Sequence, residues 1–293
     1  MIVIEKAPPF STVQDLGWRA GRAIGLPRSG AMDPALLGVA NTLVGNPPGA
    51  AAIEWALGAG AIQTDRGGLL AVLGADEVRV DGEAVDPGHP VIHAAEGTRI
   101  SIVPRTGSRF LYVAVHGGID VPPVMGSRST YLPGGFGGFQ GRRLQAGDQL
   151  PVGPAAPIEL GSTVHPRSGI EPGPSSVSAD VTIRAMPGPQ WERFDESARR
   201  TLFESRYVVT AASDRMGYRL EGPLISPRES ATLPSEAACP GAIQIPDGGQ
   251  PIVLMPDGPT VGGYPKIAVV RSADLRLLAQ CVAGRGVRAT LAD

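Results

Sequence analysis

Residues 60–76 read GAIQTDRGGLLAVLGAD, and residues 241–257 read GAIQIPDGGQPIVLMPD. Nine of these 17 aligned positions are identical: Gly, Ala, Ile, Gln, Gly, Gly, Val, Leu and Asp. Each copy has two short apolar runs of strand length around a Gly-Gly turn, the pattern of paired β-strands rather than of a helix. A looser echo lies upstream, where Asp15-Leu16-Gly17-Trp18-Arg19 has a counterpart in Asp214-Arg215-Met216-Gly217-Tyr218-Arg219. Self-similarity of this kind is most simply explained by tandem duplication of one β unit. The expectation is therefore an all-β chain with a few short helices, folded as two related β-barrel domains. Their bounds are 1–155 and 178–293, with a linker at 156–177.

The rest of the chain agrees with that reading. Forty glycines and 29 prolines are spread along 293 residues and punctuate many short elements. Strands are expected at 99–103, 110–115 and 181–186, and a hairpin around Asp81-Gly82. Three segments read as helix. The first follows Asp33-Pro34, with Asp33 as cap, and stops at Gly45-Asn46-Pro47-Pro48. The second runs from Trp191 to Ser205, and the third from Ser272, as cap, to Cys281. The stretch 151–180 is rich in Pro, Ser and Gly, a composition that buries little and suits a linker.

Composition excludes several classes. The net charge is −2, aromatics are 5% and no basic stripe appears, so nucleic acid is not the expected partner. Two cysteines, Cys239 and Cys281, point to a reducing compartment rather than a disulfide framework. No signal peptide and no long apolar run is present, so a soluble cytoplasmic protein without membrane contact is expected. No phosphate loop ends in Gly-Lys-Ser/Thr, and no Gly-x-Ser-x-Gly elbow exists. His89, His93, His116 and His165 show no metal-ligand spacing beyond the first two, and no metal is expected. Gly134 to Gly141 is glycine-rich but lacks dinucleotide spacing and reads as a rim loop.

Polar clusters beside glycines remain. They are Gln14 and Asp15; Ser29 and Asp33, followed by Asn41, Asn46 and Glu54; Asp214 and Arg215; Gln244; and Thr260 with Gly262, Gly263, Tyr264 and Lys266. Carboxylates, amides and one lysine suit recognition and proton transfer at a carbonyl next to an N–H. Asp15, Asp33, Asp214, Arg215 and Lys266 are the candidates for chemistry, and the others for substrate binding. Each has a structural alternative: turn cap for Asp15, helix cap for Asp33, ion pair for Asp214 and Arg215, surface strand charge for Lys266.

Longer motifs carry a resemblance. TVQDLG at 12–17, SGAMD at 29–33, LVGN at 43–46, GGID at 117–120, GSRSTY at 126–131 and GGFGG at 134–138 stand in the first half. DRMGYRLEGP at 214–223, PGAIQIP at 240–246, GQPIVLM at 249–255 and GGYPKIAVV at 262–270 stand in the second. Together they resemble the allophanate hydrolase subunit 2 family, which includes the C-type 5-oxoprolinase subunit, the Kip-antagonist regulators and part of the carboxyltransferase domain of urea carboxylase. The resemblance implies cyclophilin-like barrels and an obligate subunit 1-like partner, joined by a LamB/YcsF-type large subunit. It implies ATP-dependent opening of 5-oxoproline by the complex, with the chain inactive alone. The alternatives it implies are biotin-dependent carboxyl transfer to urea or a similar amide, and regulation of a kinase inhibitor. One departure stands out: Gly258-Pro259 occupies the place where the family pattern has Arg-Gln. Phe136 to Phe139 and Met125 to Tyr131 are the expected partner face.

Overall fold

The computed structural model describes residues 1–86, 88–155, 179–228 and 233–292. The expected linker at 156–177 and His165 lie outside the described residues. The chain divides into two compact units. One comprises Met1–Arg19 with Ser29–Ser175, the other Ala20–Arg28 with Ser176–Asp293. The short excursion Ala20–Arg28, which holds a 3-10 turn at Gly21–Ile24, belongs to the second unit and was not anticipated.

The first unit is built from β1 (Ile2–Lys6), β2 (Thr12–Gln14), α1 (Pro34–Leu43), β3 (Ala52–Ala56), β4 (Gly60–Thr64) and β5 (Gly68–Leu73). It continues with β6 (Ala75–Val80), β7 (Glu83–Val85), β8 (Val91–Ala94), β9 (Arg99–Pro104), β10 (Phe110–Val115) and β11 (Gln149–Leu150). Two antiparallel sheets form, ordered β11-β1-β4-β9-β6-β7 and β2-β3-β10-β5-β8. Their apolar positions share one core that includes Ile4, Trp55, Ile62, Leu70, Ile100 and Leu111. All six residues of β10 are buried. Such a strand is covered on both faces, and α1 packs over β10 and β5. Asp33 caps α1 as expected, accepting from Leu36 N at 3.0 Å. The expected hairpin is present, with Asp81 at φ 50° and Gly82 at φ 90° joining β6 to β7.

The second unit contains β12 (Val181–Pro187), α2 (Glu196–Glu204), β13 (Tyr207–Val209), β14 (Gly217–Glu221), β15 (Glu236–Ala237) and β16 (Ala242–Gln244). It ends with β17 (Ile252–Leu254), β18 (Val261–Gly262), β19 (Lys266–Val270), α3 (Ser272–Ala279) and β20 (Gly286–Leu291). Seven strands close a barrel in the order β12-β19-β16-β17-β14-β13-β20. The closing pair, β12 with β20, is parallel. Strands β15 and β18 form a separate two-stranded ribbon.

Two expected helices differ in detail. Trp191 to Ser205 is split into a 3-10 turn at Trp191–Arg193 and α2, because Asp195 starts a new helix by accepting from Ala198 N. Ser272 lies inside α3 rather than capping it; the cap position is Arg271, with no side-chain bond. Instead Asp274 ties the first turn of α3 to β12, accepting from Arg184 N at 2.8 Å and Nε at 2.7 Å. The Arg184 hydrogen bonds hold the Asp274 carboxyl below its usual range.

The repeated segments do not pair alike. In the second unit β16 and β17 are neighbours, with Ile243 opposite Val253. In the first, β4 pairs with β1 and β9, while β5 pairs with β8 and β10, so the two lie in different sheets. Similar local sequence specifies strand and turn; the partner is set by the rest of the chain.

A buried knot fixes the first unit. Tyr112 Oη on β10 donates to Glu54 Oε2 at 2.6 Å and accepts from Asp33 N at 2.8 Å. Glu54 Oε2 also accepts from Met32 N at 2.7 Å. Asp33, Glu54 and Tyr112 are fully buried. Burial, then the nearby carboxylates of Glu54 and Asp33, push the Tyr112 hydroxyl well above its usual range. Its contribution to stability is therefore complete below the unfolded tyrosine value near 10 and declines as pH rises above it. Tyr112→Phe strands one buried carboxylate oxygen and one buried N–H. We expect it to lower stability by about 1–3 kcal/mol in urea unfolding at pH 7. The deficit should shrink above pH 10, where the wild type loses the same advantage.

Candidate functional site

In the first unit the TVQDLG turn is a clasp. Asp15 Oδ1 accepts from Gly17 N at 2.7 Å, Ser127 Oγ at 2.7 Å and Ser129 Oγ at 2.6 Å. Its Oδ2 accepts from Arg128 N at 2.6 Å. One carboxylate therefore holds the whole Ser127–Ser129 loop, which is the turn-cap role extended across 114 residues of sequence. Gln14 and Ser29 meet at one carbonyl: Gln14 Nε2 and Ser29 Oγ reach Thr130 O at 3.1 and 3.4 Å. Asn41 and Asn46 are joined amide to amide at 3.1 Å and bond the backbone of Ala50, Val115 and Gly117. Asp33 and Glu54 belong to the Tyr112 knot. These buried amides and acids order the loops around α1 and β10.

Phe136 packs against Trp18 and Tyr131, both with ring centroids 5.5 Å away, so the expected partner face rests in part on its own unit. Beside it is an open apolar cleft of about 390 Å³ lined by Val121, Pro122, Val124, Phe136, Phe139 and Pro151. Met125 stands exposed at 58%.

In the second unit the DRMG turn is tied down. Asp214 Oδ1 caps it by accepting from Met216 N and Gly217 N at 2.8 and 3.1 Å. Arg215 grips Asp257 with two bonds, Nε at 2.8 Å and Nη2 at 3.0 Å. Asp257 is 1% exposed. The structural ion pair thus runs from Arg215 to Asp257, not to Asp214. Next in sequence, Gly258 lies against backbone, where a Cβ would come 2.7 Å from Met216 O. Here position 258 has no room for the side chain that the family pattern carries.

A different group gathers at β19. Lys266 is 2% exposed and Gln244 5%, and they are cross-strand partners on β19 and β16. The register shifts between them: Ile243 faces Ala268, while Gln244 faces Lys266, so Ile267 is extra. That bulge turns Lys266 inward, where plain alternation would place it opposite the buried Ile267. The reading of Lys266 as a surface charge is thereby excluded. Lys266 Nζ lies 2.5 Å from Glu236 Oε1 on β15, an ion pair. The contact lacks the angles of a directed hydrogen bond, and the buried Nζ has no hydrogen-bond acceptor. At least two of its three N–H donors are therefore unused. Gly262 on β18 pairs with Glu236, and a Cβ there would sit 3.0 Å from Gln244 Nε2. Close approach of the ribbon to the Gln244 amide thus depends on glycine. Gly263 O accepts from Leu233 N at 2.8 Å. Tyr264 is 42% exposed, and Thr260 Oγ1 touches Gly25 O at 3.5 Å.

The structure thus joins Gln244, Gly262 and Lys266 in one place and leaves Asp214 and Arg215 on a separately braced turn. It adds Glu236, Gln190 and Asp257, which sequence reasoning missed. A glutamate on a two-residue strand and a glutamine after Gly-Pro carry no motif; only their positions in space reveal them. Among the described residues no group of His, Cys, Asp and Glu is arranged to hold a metal. His89 and His93 are both exposed, and His89 Nδ1 contacts Asp86 at 3.0 Å. No helix is long and apolar enough to cross a membrane.

The carboxyltransferase domain model, subdomains A and B, matches residues 24–290. The chain is 40% identical to the C-type 5-oxoprolinase subunit of Escherichia coli over 98% of its own length and 90% of that protein's. It is 32% identical to urea amidolyase of Lachancea kluyveri over 95% of its length, but spans only 16% of that protein. The solved urea carboxylase of Kluyveromyces lactis superposes with a TM-score of 0.89 at 27% identity; the chain covers 27% of it.

Arg215→Ala would leave Asp257 buried without its partner. Breaking such a pair costs on the order of 3–5 kcal/mol. We expect a large fall in melting temperature, measured calorimetrically, and a smaller fall for Asp214→Ala on the exposed turn.

Proposed function

Because this chain belongs to the carboxyltransferase subdomain A and B family, we propose that it is the C-type subunit of an ATP-dependent 5-oxoprolinase. The complex would open 5-oxoproline to glutamate together with a subunit 1-like protein and a LamB/YcsF-type large subunit. Support comes from full-length similarity to the Escherichia coli 5-oxoprolinase subunit, against partial coverage of the much longer urea enzymes.

The observation that carries the reading is the Gln244–Lys266 pair. A five-membered lactam has its C=O and N–H on one edge, held cis. A glutamine amide matches that edge, donating from Nε2 and accepting at Oε1. The neighbouring ammonium adds a donor where negative charge develops on the carbonyl oxygen. Tyr264, half-exposed on the following turn, would border the substrate. ATP would supply activation of the lactam oxygen. The sequence has no phosphate-cradling loop, so the nucleotide would be held by another subunit. Asp15, Asp33 and Asp214 are engaged with backbone and serine donors, which favours the lysine site over them. Urea also offers a C=O next to N–H, so biotin-dependent carboxyl transfer is the second reading, favoured by the urea carboxylase superposition.

The apolar cleft beside Phe136, with exposed Met125, is the proposed seat of the subunit 1-like partner.

The reconstituted complex should hydrolyse 5-oxoproline with ATP and leave urea untouched. Turnover of urea alone would select the carboxyltransferase reading, and turnover of neither would sink both. Lys266→Ala should cut kcat by about 10²–10³, by analogy with loss of one oxyanion donor. Its stability should change little, because Glu236 is left half-exposed and can hydrate. Size-exclusion chromatography at micromolar concentration should show this chain and its subunit 1-like partner eluting together.

A further inference from the structure

Only two of the 26 basic residues are lysines, Lys6 and Lys266; the other 24 are arginines. Lys6 is exposed and Lys266 is buried. The strand that buries Lys266 supplies nothing to balance its charge. Beside it, β16 presents the neutral Gln244 and β18 presents Gly262. Strand β12 pairs with Ala268, Val269 and Val270 but stops short of Lys266. The loop after β12 takes over there. Gly188 N donates to Ile267 O at 2.9 Å, and Gln190 N donates to Lys266 O at 3.3 Å. Gln190 Oε1 accepts from Lys266 N at 3.0 Å, while its Nε2 donates to Glu236 Oε1 at 2.6 Å. Glu236 is the one charged group recorded against the Lys266 ammonium among the described residues.

We propose that Glu236 is a positioning residue, held by Gln190, that fixes the Lys266 ammonium beside Gln244 with N–H donors left over for a substrate oxygen. The inference rests on reading Lys266 as the group that faces the substrate. One oxygen of Glu236 serves both Lys266 and Gln190, and the side chain is 41% exposed, so water reaches the rest of the carboxylate. The contact with Lys266 is the main reason the Glu236 carboxyl lies below its usual range, so it stays anionic through neutral pH. Removing that anion from beside a buried ammonium would disfavour the charged form of the lysine. An arginine would not respond this way, because it stays protonated throughout.

Two lysines make the test direct. The full chain, labelled with ε-¹³C lysine, should give two lysine signals, which can be titrated separately. In Glu236→Gln the Lys266 midpoint should fall by one pH unit or more while that of Lys6 stays put. Glu236→Asp should recover part of the shift. Gln190→Ala should produce a smaller fall, and it keeps the idea testable if Glu236→Gln does not fold. In the reconstituted complex, Glu236→Gln should lower kcat/KM for 5-oxoproline at least tenfold and move the alkaline limb of its pH profile downward. Glu236→Asp should restore part of the rate. An unmoved Lys266 midpoint, or an unmoved alkaline limb and rate, would overturn the proposal. If the wild-type complex fails to act on 5-oxoproline, the functional reading falls, and the titration still decides the role of Glu236.

Discussion

An ion carried out of water has to find a partner, and the cost of failing is several kcal/mol per charge. That constraint organises both units. In the second, Lys266 is matched by Glu236, Asp257 by Arg215 and Asp274 by Arg184. Each pair joins segments far apart in sequence: β19 to β15, the end of β17 to the turn before β14, and α3 to β12. In the first, Glu54 is buried among backbone donors and the Tyr112 hydroxyl, and the knot fixes the turn that leads into α1. The pairs differ in one respect that matters for chemistry. Arg215 and Arg184 have bidentate partners, whereas Lys266 has one ion-pair contact and donors to spare.

The barrel gives that lysine its setting. A closed sheet has no free edge, so a side chain brought into its wall meets fixed neighbours on both adjoining strands. The bulge at Ile267 places Lys266 opposite Gln244, and the ribbon β15–β18 brings Glu236 and Gly262 to the same place. Amide, ammonium and carboxylate are thus held by main-chain pairing, which keeps them in one geometry without a substrate present. The comparisons fit that picture at two levels. Full-length similarity links the whole chain to a dedicated subunit, and the urea enzymes carry the same fold as one part of a larger chain.

Much of this was legible in the residues. The all-β character, the Asp81-Gly82 hairpin, the α1 cap at Asp33 and the strand Phe110–Val115 follow from local chemistry that acts within a few residues. The motifs named the family, and they singled out Lys266, Gln244 and Gly262 as a group. Local signals also misled in places. Ser272 has the chemistry of a cap but sits inside α3, because Asp274 secures that end through Arg184. Arg215 read as a partner of Asp214 and turned to Asp257, since a bidentate grip on a buried carboxylate is the stronger contact.

The sequence alone therefore determined which segments are strands and turns, where glycine must stand, and which family's motifs the chain carries. These depend on backbone preferences and residue spacing, which are local. The tertiary structure decided which strands pair, so that GAIQ and its following apolar run lie in separate sheets at 60–76 and side by side at 241–257. It also decided that Lys266 is buried and that Glu236 and Gln190 hold it. Pairing and burial are set by contacts between distant residues, and no short stretch of sequence contains the energy of a contact whose other half lies elsewhere in the chain.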